Sequence, residues 1–170
     1  TNDCALGPRY CRSKAAQLEG SLARVGVHPS INLRVTGQED ELEHGMADLV
    51  LVDAPCSSCG ALRRRRSHRW TLQSDELKRH FPTTQLGILH TAARLVKPGG
   101  RLVYATCSIS HWENEDVVAT WEKVTENDEN LAGWEPWPFP APYQAGVAPH
   151  CRKLLSHKHD SDGFFVARWK

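Results

Sequence analysis

The chain has 170 residues, 40% hydrophobic and 24% charged, an ordinary globular composition that argues against a wholly disordered chain. Its 21 Lys and Arg against 20 Asp and Glu give a net charge of +1, so no global polycationic character points to nucleic acid. No run of about 18 apolar residues is present to cross a membrane, and no basic-then-apolar leader opens the chain.

Thr1 stands first rather than Met, which reads as a processed chain or a piece of a longer one. Residues 1–11 read as irregular, with Gly7 and Pro8. Over 12–25, Ala15, Leu18, Leu22 and Val25 recur at spacings of three and four and predict a helix ended by Gly26 and Pro29. Ile31, Leu33 and Val35 alternate, predicting a short strand. Asp48 to Asp53 (D-L-V-L-V-D) is an apolar run between acids, suited to a strand buried on both faces. Ser74 can cap a helix through Glu76 and Leu77. The stretch 83–96 predicts another helix, with Leu86, Leu89, Ala93 and Val96 on one face and Lys97-Pro98-Gly99-Gly100 as its stop. Pro82 argues against one unbroken helix over 75–96. Arg101 to Cys107 predicts a second buried strand, Glu113 to Val124 a helix, 131–149 a proline-rich loop with room for one strand, and Gly163 to Trp169 a last strand. The alternation from 31 to 124 predicts an α/β domain with a parallel sheet. Ligand sites in such sheets lie at the carboxyl ends of strands, which singles out Asp53 to Gly60 and Thr106 to His111.

Charge is segregated despite the neutral total. Arg63, Arg64, Arg65, Arg66 and Arg69 make a local basic patch, and the stretch after residue 112 is acidic. The 6 cysteines, Cys4, Cys11, Cys56, Cys59, Cys107 and Cys151, are too sparse for a secreted disulfide scaffold and predict a reducing, intracellular setting. Whether that setting is cytoplasm, nucleus or organelle is open.

Two motifs follow the two apolar strands: D-A-P-C-S-S-C-G at 53–60 and T-C-S at 106–108. If the strands are neighbours, Cys56 and Cys107 face each other across a cleft. Three other readings of these residues stand beside that one: buried structural thiols, a C-x-x-C redox pair of Cys56 and Cys59, and a zinc site built from those cysteines and some of the 9 histidines.

Asp53-Ala-Pro-Cys-Ser57, the K-P-G-G-x-L-V-Y-x-T-C-S-I stretch at 97–109, Glu113-Asn114-Glu115 and Asp162-Gly163-Phe164-Phe165-Val166-Ala167 together resemble the NSUN (Sun/Nol) RNA cytosine-5 methyltransferases, in the right order from about residue 12 to 170. The resemblance implies a Rossmann-like class I methyltransferase sheet, incomplete on its N-terminal side, with residues 1–170 as a single truncated catalytic domain. It also implies S-adenosylmethionine as cofactor and rRNA or tRNA as partner. Cytosine carbon 5 is a poor nucleophile, and thiolate addition at carbon 6 makes it electron-rich. By resemblance Cys107 is that nucleophile, Cys56 assists breakdown of the adduct, and Asp53 holds the cytosine edge near nitrogen 3 and lies beside the cofactor. Pro55 shapes the turn presenting Cys56, and Gln38 falls near the expected cofactor acid.

Arg63 to Arg66, Arg69 and Lys78 follow the first motif and are candidates for holding the RNA backbone, with a solvated charged loop as the other reading. Trp70 reads as a packing residue before a base-stacking one. His111 reads as lining the cleft, the acidic helix as a solvated face, and Asp162 to Phe165 as a structural turn with two aromatic core residues. The family's C-A-x-P-G-G-K-T cofactor loop has no counterpart here, and its S-G-x-G after Pro-Cys is S-S-C-G. A sheet lacking its first strand would expose an apolar edge, so a missing N-terminal segment or a partner is expected there. The functional alternatives are an inactive or RNA-binding fragment, and a thiol redox or zinc protein.

Overall fold

The computed structural model describes residues 8–26, 43–129, 131, 133–141 and 148–170, with only the backbone described for 8–15. The strand expected over 31–35 and Gln38 lie outside the described residues.

Residues up to Glu43 form one unit, whose described part is helix α1, Pro8–Val25. It starts before residue 12 because proline is tolerated in a first helical turn, where its missing N–H costs nothing. It ends at Gly26, whose φ of 64° lies in the left-handed region that a helix stop favours.

The second unit, His44–Lys170, carries a mixed sheet of four strands among the described residues. Its strands are β1 (Ala47–Asp53), β2 (Val96–Thr106), β3 (Cys151–Leu154) and β4 (Phe164–Trp169), in the spatial order β1-β2-β4-β3. β1 and β2 are parallel, with Leu49 opposite Arg101 and Asp53 opposite Ala105. β4 runs antiparallel to both β2 and β3, so the sheet is not parallel throughout.

The parallel pair requires a crossover, supplied by helix α2, Phe81–Leu95. The helical path is continuous from Ser74, but Glu76–His80 winds as a π-helix just before Pro82. That wider turn accommodates the proline without breaking the rod. Lys97-Pro98-Gly99-Gly100 does stop α2, yet it lies inside β2 rather than between helix and strand. Gly99 at φ 74° and the register shift opposite Ala47 to Leu49 absorb it as a bulge.

Helix α3 is Glu115–Asn127, two residues later than expected, with Glu115 and Asp116 in the first turn where acids complement the helix dipole. Val117, Val118 and Trp121 of α3 join Leu89, Ala92 and Ala93 of α2 over Leu102 and Tyr104 of β2 and Phe165, Ala167 and Trp169 of β4. The Trp121 and Trp169 rings meet edge-on at 6.3 Å, a geometry worth about 0.5–1.5 kcal/mol beyond area burial. A short helix, α4 (Ser156–His159), links β3 to β4.

β1 is buried on one face only, which corrects the expectation for D-L-V-L-V-D. Val52 is 6% exposed, but Leu49 is 54% and Leu51 64% exposed on the strand that is outermost among the described residues. β3 lies just beyond the proline-rich stretch, whose own contribution is an isolated bridge from Pro136 to Trp169.

Candidate active site

Because β1 and β2 are adjacent and parallel, the two motifs leave the sheet at the same edge. The pairing runs one rung past Asp53, with Ala54 N–H donating to Ala105 O at 3.0 Å. The first loop then folds back, and Gly60 N–H donates to Cys107 O at 3.0 Å. This return brings Cys56 Sγ to 3.2 Å from Cys107 Sγ. Ser58, held at φ 54° where non-glycine residues are rare, places its Oγ 3.3 Å from Cys107 Sγ.

The two thiols are electrostatically unlike. The hydrogen bond from Cys56 holds Cys107 well below the ordinary thiol range, at about 6, with burial opposing, Ser58 adding to the drop and the charge of Asp53 opposing it. The same contact, helped by burial, pushes Cys56 far up. One proton is thus shared between two sulfurs, with the negative charge on Cys107. Asp53 is exposed at the end of β1, without a hydrogen-bond or ion-pair partner among the described residues. Pro55 is half-buried at the turn, and its carbonyl accepts from Gln85 Nε2 at 2.9 Å.

The site contains a residue that the sequence groups with the solvated acids. Glu113 is completely buried. Its carboxylate accepts Ser57 N–H at 2.7 Å, Ser57 Oγ–H at 2.6 Å and Ser108 Oγ–H at 2.8 Å. Tyr104 OH donates to the Glu113 carbonyl at 2.6 Å. Asn114 beside it accepts from Thr106 Oγ1 at 2.7 Å and donates to Ser108 O at 2.9 Å. The Glu113-Asn114-Glu115 motif was the available signal.

The basic residues divide. Arg63 pairs with Asp160 at 3.3 Å and Arg64 with Asp162. Arg63 to His68 and Thr71 line a cavity of about 800 Å³. Arg69 and Trp70 line a second cavity with Leu62, Arg63, Arg66 and Ser67. Lys78 borders neither and lies over the Trp112 ring at 5.0 Å. Trp70 does not pack into the core: it is 78% exposed, with the Arg69 guanidinium 4.4 Å from its ring. His111 is exposed and pairs with Asp116 at 3.1 Å rather than entering the thiol cluster. Of the two aromatics in Asp162 to Phe165, Phe165 is in the core and Phe164 is 42% exposed.

Cys59 does not pair with Cys56. Its Sγ lies 3.1 Å from Ser108 Oγ and accepts Ile109 N–H at 3.3 Å, which removes the geometry of a C-x-x-C redox couple. Among the described residues no group of three or more His, Cys, Asp and Glu is placed to hold a metal ion. Cys151 is buried in the core.

Residues 8–170 match the family described as 16S rRNA methyltransferase RsmB/F. The chain is 34% identical over 154 residues to a probable ribosomal RNA small subunit methyltransferase B of Synechocystis, covering 89% of this chain and 30% of that protein. It is 31% identical over 172 residues to ribosomal RNA small subunit methyltransferase F of Erwinia tasmaniensis, covering 96% of this chain and 34% of that one. The crystal structure of PH0851 superposes with a TM-score of 0.77 at 32% identity, over 91% of this chain and 34% of the other. The chain therefore spans about a third of the length of each of these three proteins.

Proposed function

The chain belongs to the RsmB/F family of 16S rRNA methyltransferases, and from that premise we propose that it is the catalytic part of an enzyme methylating carbon 5 of cytosine in rRNA through a covalent cysteine adduct. The observation that carries this reading is the contact of Cys56 and Cys107 at 3.2 Å at the ends of two adjacent parallel strands, a contact that favours the Cys107 thiolate. A thiolate at rest is what nucleophilic addition to carbon 6 needs.

The roles are those the family resemblance implies, and the geometry supports them. Cys107 Sγ adds to carbon 6, and electron density moves onto carbon 5 and the ring edge. Asp53, at the strand end, holds the ring edge near nitrogen 3 through a shared proton, and passing that proton to nitrogen 3 neutralises the charge. Once Cys107 is a thioether, it no longer offers Cys56 a negative partner. The main cause of Cys56's raised pKa then disappears, so Cys56 can lose its proton to solvent. Its thiolate next takes the carbon-5 proton, and the electrons of that bond expel Cys107 as thiolate.

S-adenosylmethionine, when bound, supplies the electrophilic methyl group for carbon 5. The donor set fits it in part: Asp53, whose side chain has no partner among the described residues, can accept from a cofactor hydroxyl, and Pro55 walls the turn beside it. Gln38, the third cofactor candidate, lies outside the described residues.

Arg65, Arg66 and Arg69, which have no carboxylate partner among the described residues, are assigned to RNA phosphates. Arg63 and Arg64 join them by exchanging Asp160 and Asp162 for phosphate. Lys78 serves at the margin. We read residues 1–170 as one truncated domain of an intracellular protein, in which β1, the outermost strand among the described residues, is completed by a missing N-terminal segment or a partner.

The test incubates the chain with 16S rRNA and S-adenosylmethionine and looks for protein–RNA adducts that survive denaturing electrophoresis. Cys56→Ala should accumulate the adduct and Cys107→Ala should abolish it. Adduct formation by Cys107→Ala would overturn the nucleophile assignment. RNA binding with no adduct in any variant would favour an RNA-binding fragment without turnover, a reading that the one-third coverage of its relatives keeps in play.

A further inference from the structure

We infer that Glu113 is a positioning residue, a buried carboxylate clasp that sets the contact between Cys56 and Cys107 by holding the residue next to each. The inference rests on the reading of those two thiols as the working pair.

Each cysteine is followed by a serine turned inward: Ser57 is 2% exposed and Ser108 is fully buried. Both serines bind the same carboxylate. Glu113 Oε1 accepts Ser57 Oγ–H at 2.6 Å and Ser108 Oγ–H at 2.8 Å, while Oε2 accepts Ser57 N–H at 2.7 Å. Gln85, also fully buried, extends the grip: its Nε2 donates to Pro55 O at 2.9 Å and reaches Glu113 Oε2 at 3.5 Å. The residues on both sides of Cys56 and the residue after Cys107 are therefore fixed to one group. Consecutive Cα atoms are a rigid ~3.8 Å apart, so fixing these neighbours leaves each cysteine little beyond its side-chain torsion.

The grip accounts for the backbone beside the thiols. Ser58 at φ 54° holds a strained conformation that persists only where its surroundings impose it. Ser57, anchored through N–H and hydroxyl, imposes it from one side, and Gly60 N–H on Cys107 O at 3.0 Å from the other. The strain turns Ser58 Oγ toward Cys107 Sγ. A carboxylate buried this deeply is costly unless its oxygens are filled, and here one group serves two loops that are 51 residues apart in sequence. Neither sulfur is among its hydrogen-bond partners, so Glu113 acts through Ser57 and Ser108 and not on the reacting atoms.

A purely structural role predicts lost stability alone. The clasp also predicts lost thiol coupling, and a control separates the two. Tyr104→Phe removes the 2.6 Å bond from Tyr104 OH to the Glu113 carbonyl, equally buried, and leaves the carboxylate untouched. Glu113→Gln keeps the side chain's size and its oxygen can still take Ser57 N–H, but an NH2 donor then replaces the acceptor of both serine hydroxyls, which must reverse.

The chain and each variant are alkylated with iodoacetamide between pH 5 and 9.5, and Cys107 and Cys151 are followed by peptide mass spectrometry. Circular dichroism confirms folding. Glu113→Gln should raise the Cys107 midpoint by one pH unit or more, which takes the thiolate at pH 7 from about nine-tenths to about half or less. Tyr104→Phe should leave that midpoint in place, and Cys151 should not respond to either change. An unmoved midpoint in folded Glu113→Gln, or an equal shift in Tyr104→Phe, overturns the inference. Should Glu113→Gln not fold, Ser108→Ala removes one arm of the clasp; a smaller upward shift supports the inference and no shift overturns it. Methylation plays no part in this readout, so failure of the clasp and failure of the proposed reaction are separable.

Discussion

Gly60→Ala should be among the most damaging single-methyl additions to this chain. A Cβ at Gly60 would lie 2.2 Å from Gly163 O, 2.7 Å from Gly163 C and 2.7 Å from Cys107 O. Ordinary carbon-to-carbonyl contacts are about 3.3–3.6 Å, so a backbone must move by about 1 Å. Neither neighbour is a flexible side-chain tip. Both are backbone on strand-anchored loops, and Gly163 faces Gly60 Cα so closely that its own Cβ would sit 2.9 Å away. Overpacking of this kind costs about 1–3 kcal/mol. The shift also strains two backbone bonds, Gly60 N–H to Cys107 O at 3.0 Å and Gly163 N–H to Gly60 O at 2.9 Å. Each contributes about 0.5–1.5 kcal/mol net, so the total loss is about 2–6 kcal/mol. With a urea slope of about 2 kcal/mol per molar, the unfolding midpoint falls by roughly 2 M. Gly87→Ala is the internal reference, since its Cβ meets nothing within 4 Å on the exposed face of helix α2. It should stabilise by about 0.5–1 kcal/mol through helix propensity. Urea titrations of the three proteins decide the matter: a Gly60→Ala loss below about 1 kcal/mol would refute the packing argument.

Two further outcomes are expected. Cys107 alkylation should fall away as pH drops through about 6, because the thiolate is the reactive form and is protonated below that point, and Cys56→Ala should move this limb to higher pH. Mass-spectrometric rate profiles from pH 4.5 to 9 measure it, and a limb near pH 8.5 in the unaltered chain would contradict the asymmetry of the pair. Arg65→Ala with Arg66→Ala should weaken single-stranded RNA binding and lower the log-affinity against log-salt slope by roughly 0.7 per lost phosphate contact, read by fluorescence anisotropy; an unchanged slope would place the RNA elsewhere.

The local chemistry of the chain was legible before its geometry. The apolar runs at 48–53 and 101–107 located two strands, and the motifs after them located Cys56, Cys107 and Asp53. The helical periods at 12–25 and 83–96 located α1 and α2 to within a few residues. Boundaries drifted where sequence punctuation has two solutions. Pro98 and the glycines beside it can end a helix or bulge a strand, and here they do both. Pro82 can break a helix or sit beyond a π-turn, and Glu76–His80 takes the second course.

What the sequence determined by itself was the inventory and its order along the chain: two strand-end thiols, an acid before the first, and an arginine run after it. What only the tertiary structure decided was which groups meet. Glu113 lies 56 residues from Ser57, and no period or motif spacing encodes a hydrogen bond between them. The same holds for Cys59, which turns to Ser108 and not to its near neighbour Cys56, and for Trp70, an aromatic that remains exposed. Local sequence fixes backbone preference and periodicity over a turn or a strand. Contacts between distant segments, and the pKa values that depend on them, come into being only when the sheet brings their elements together.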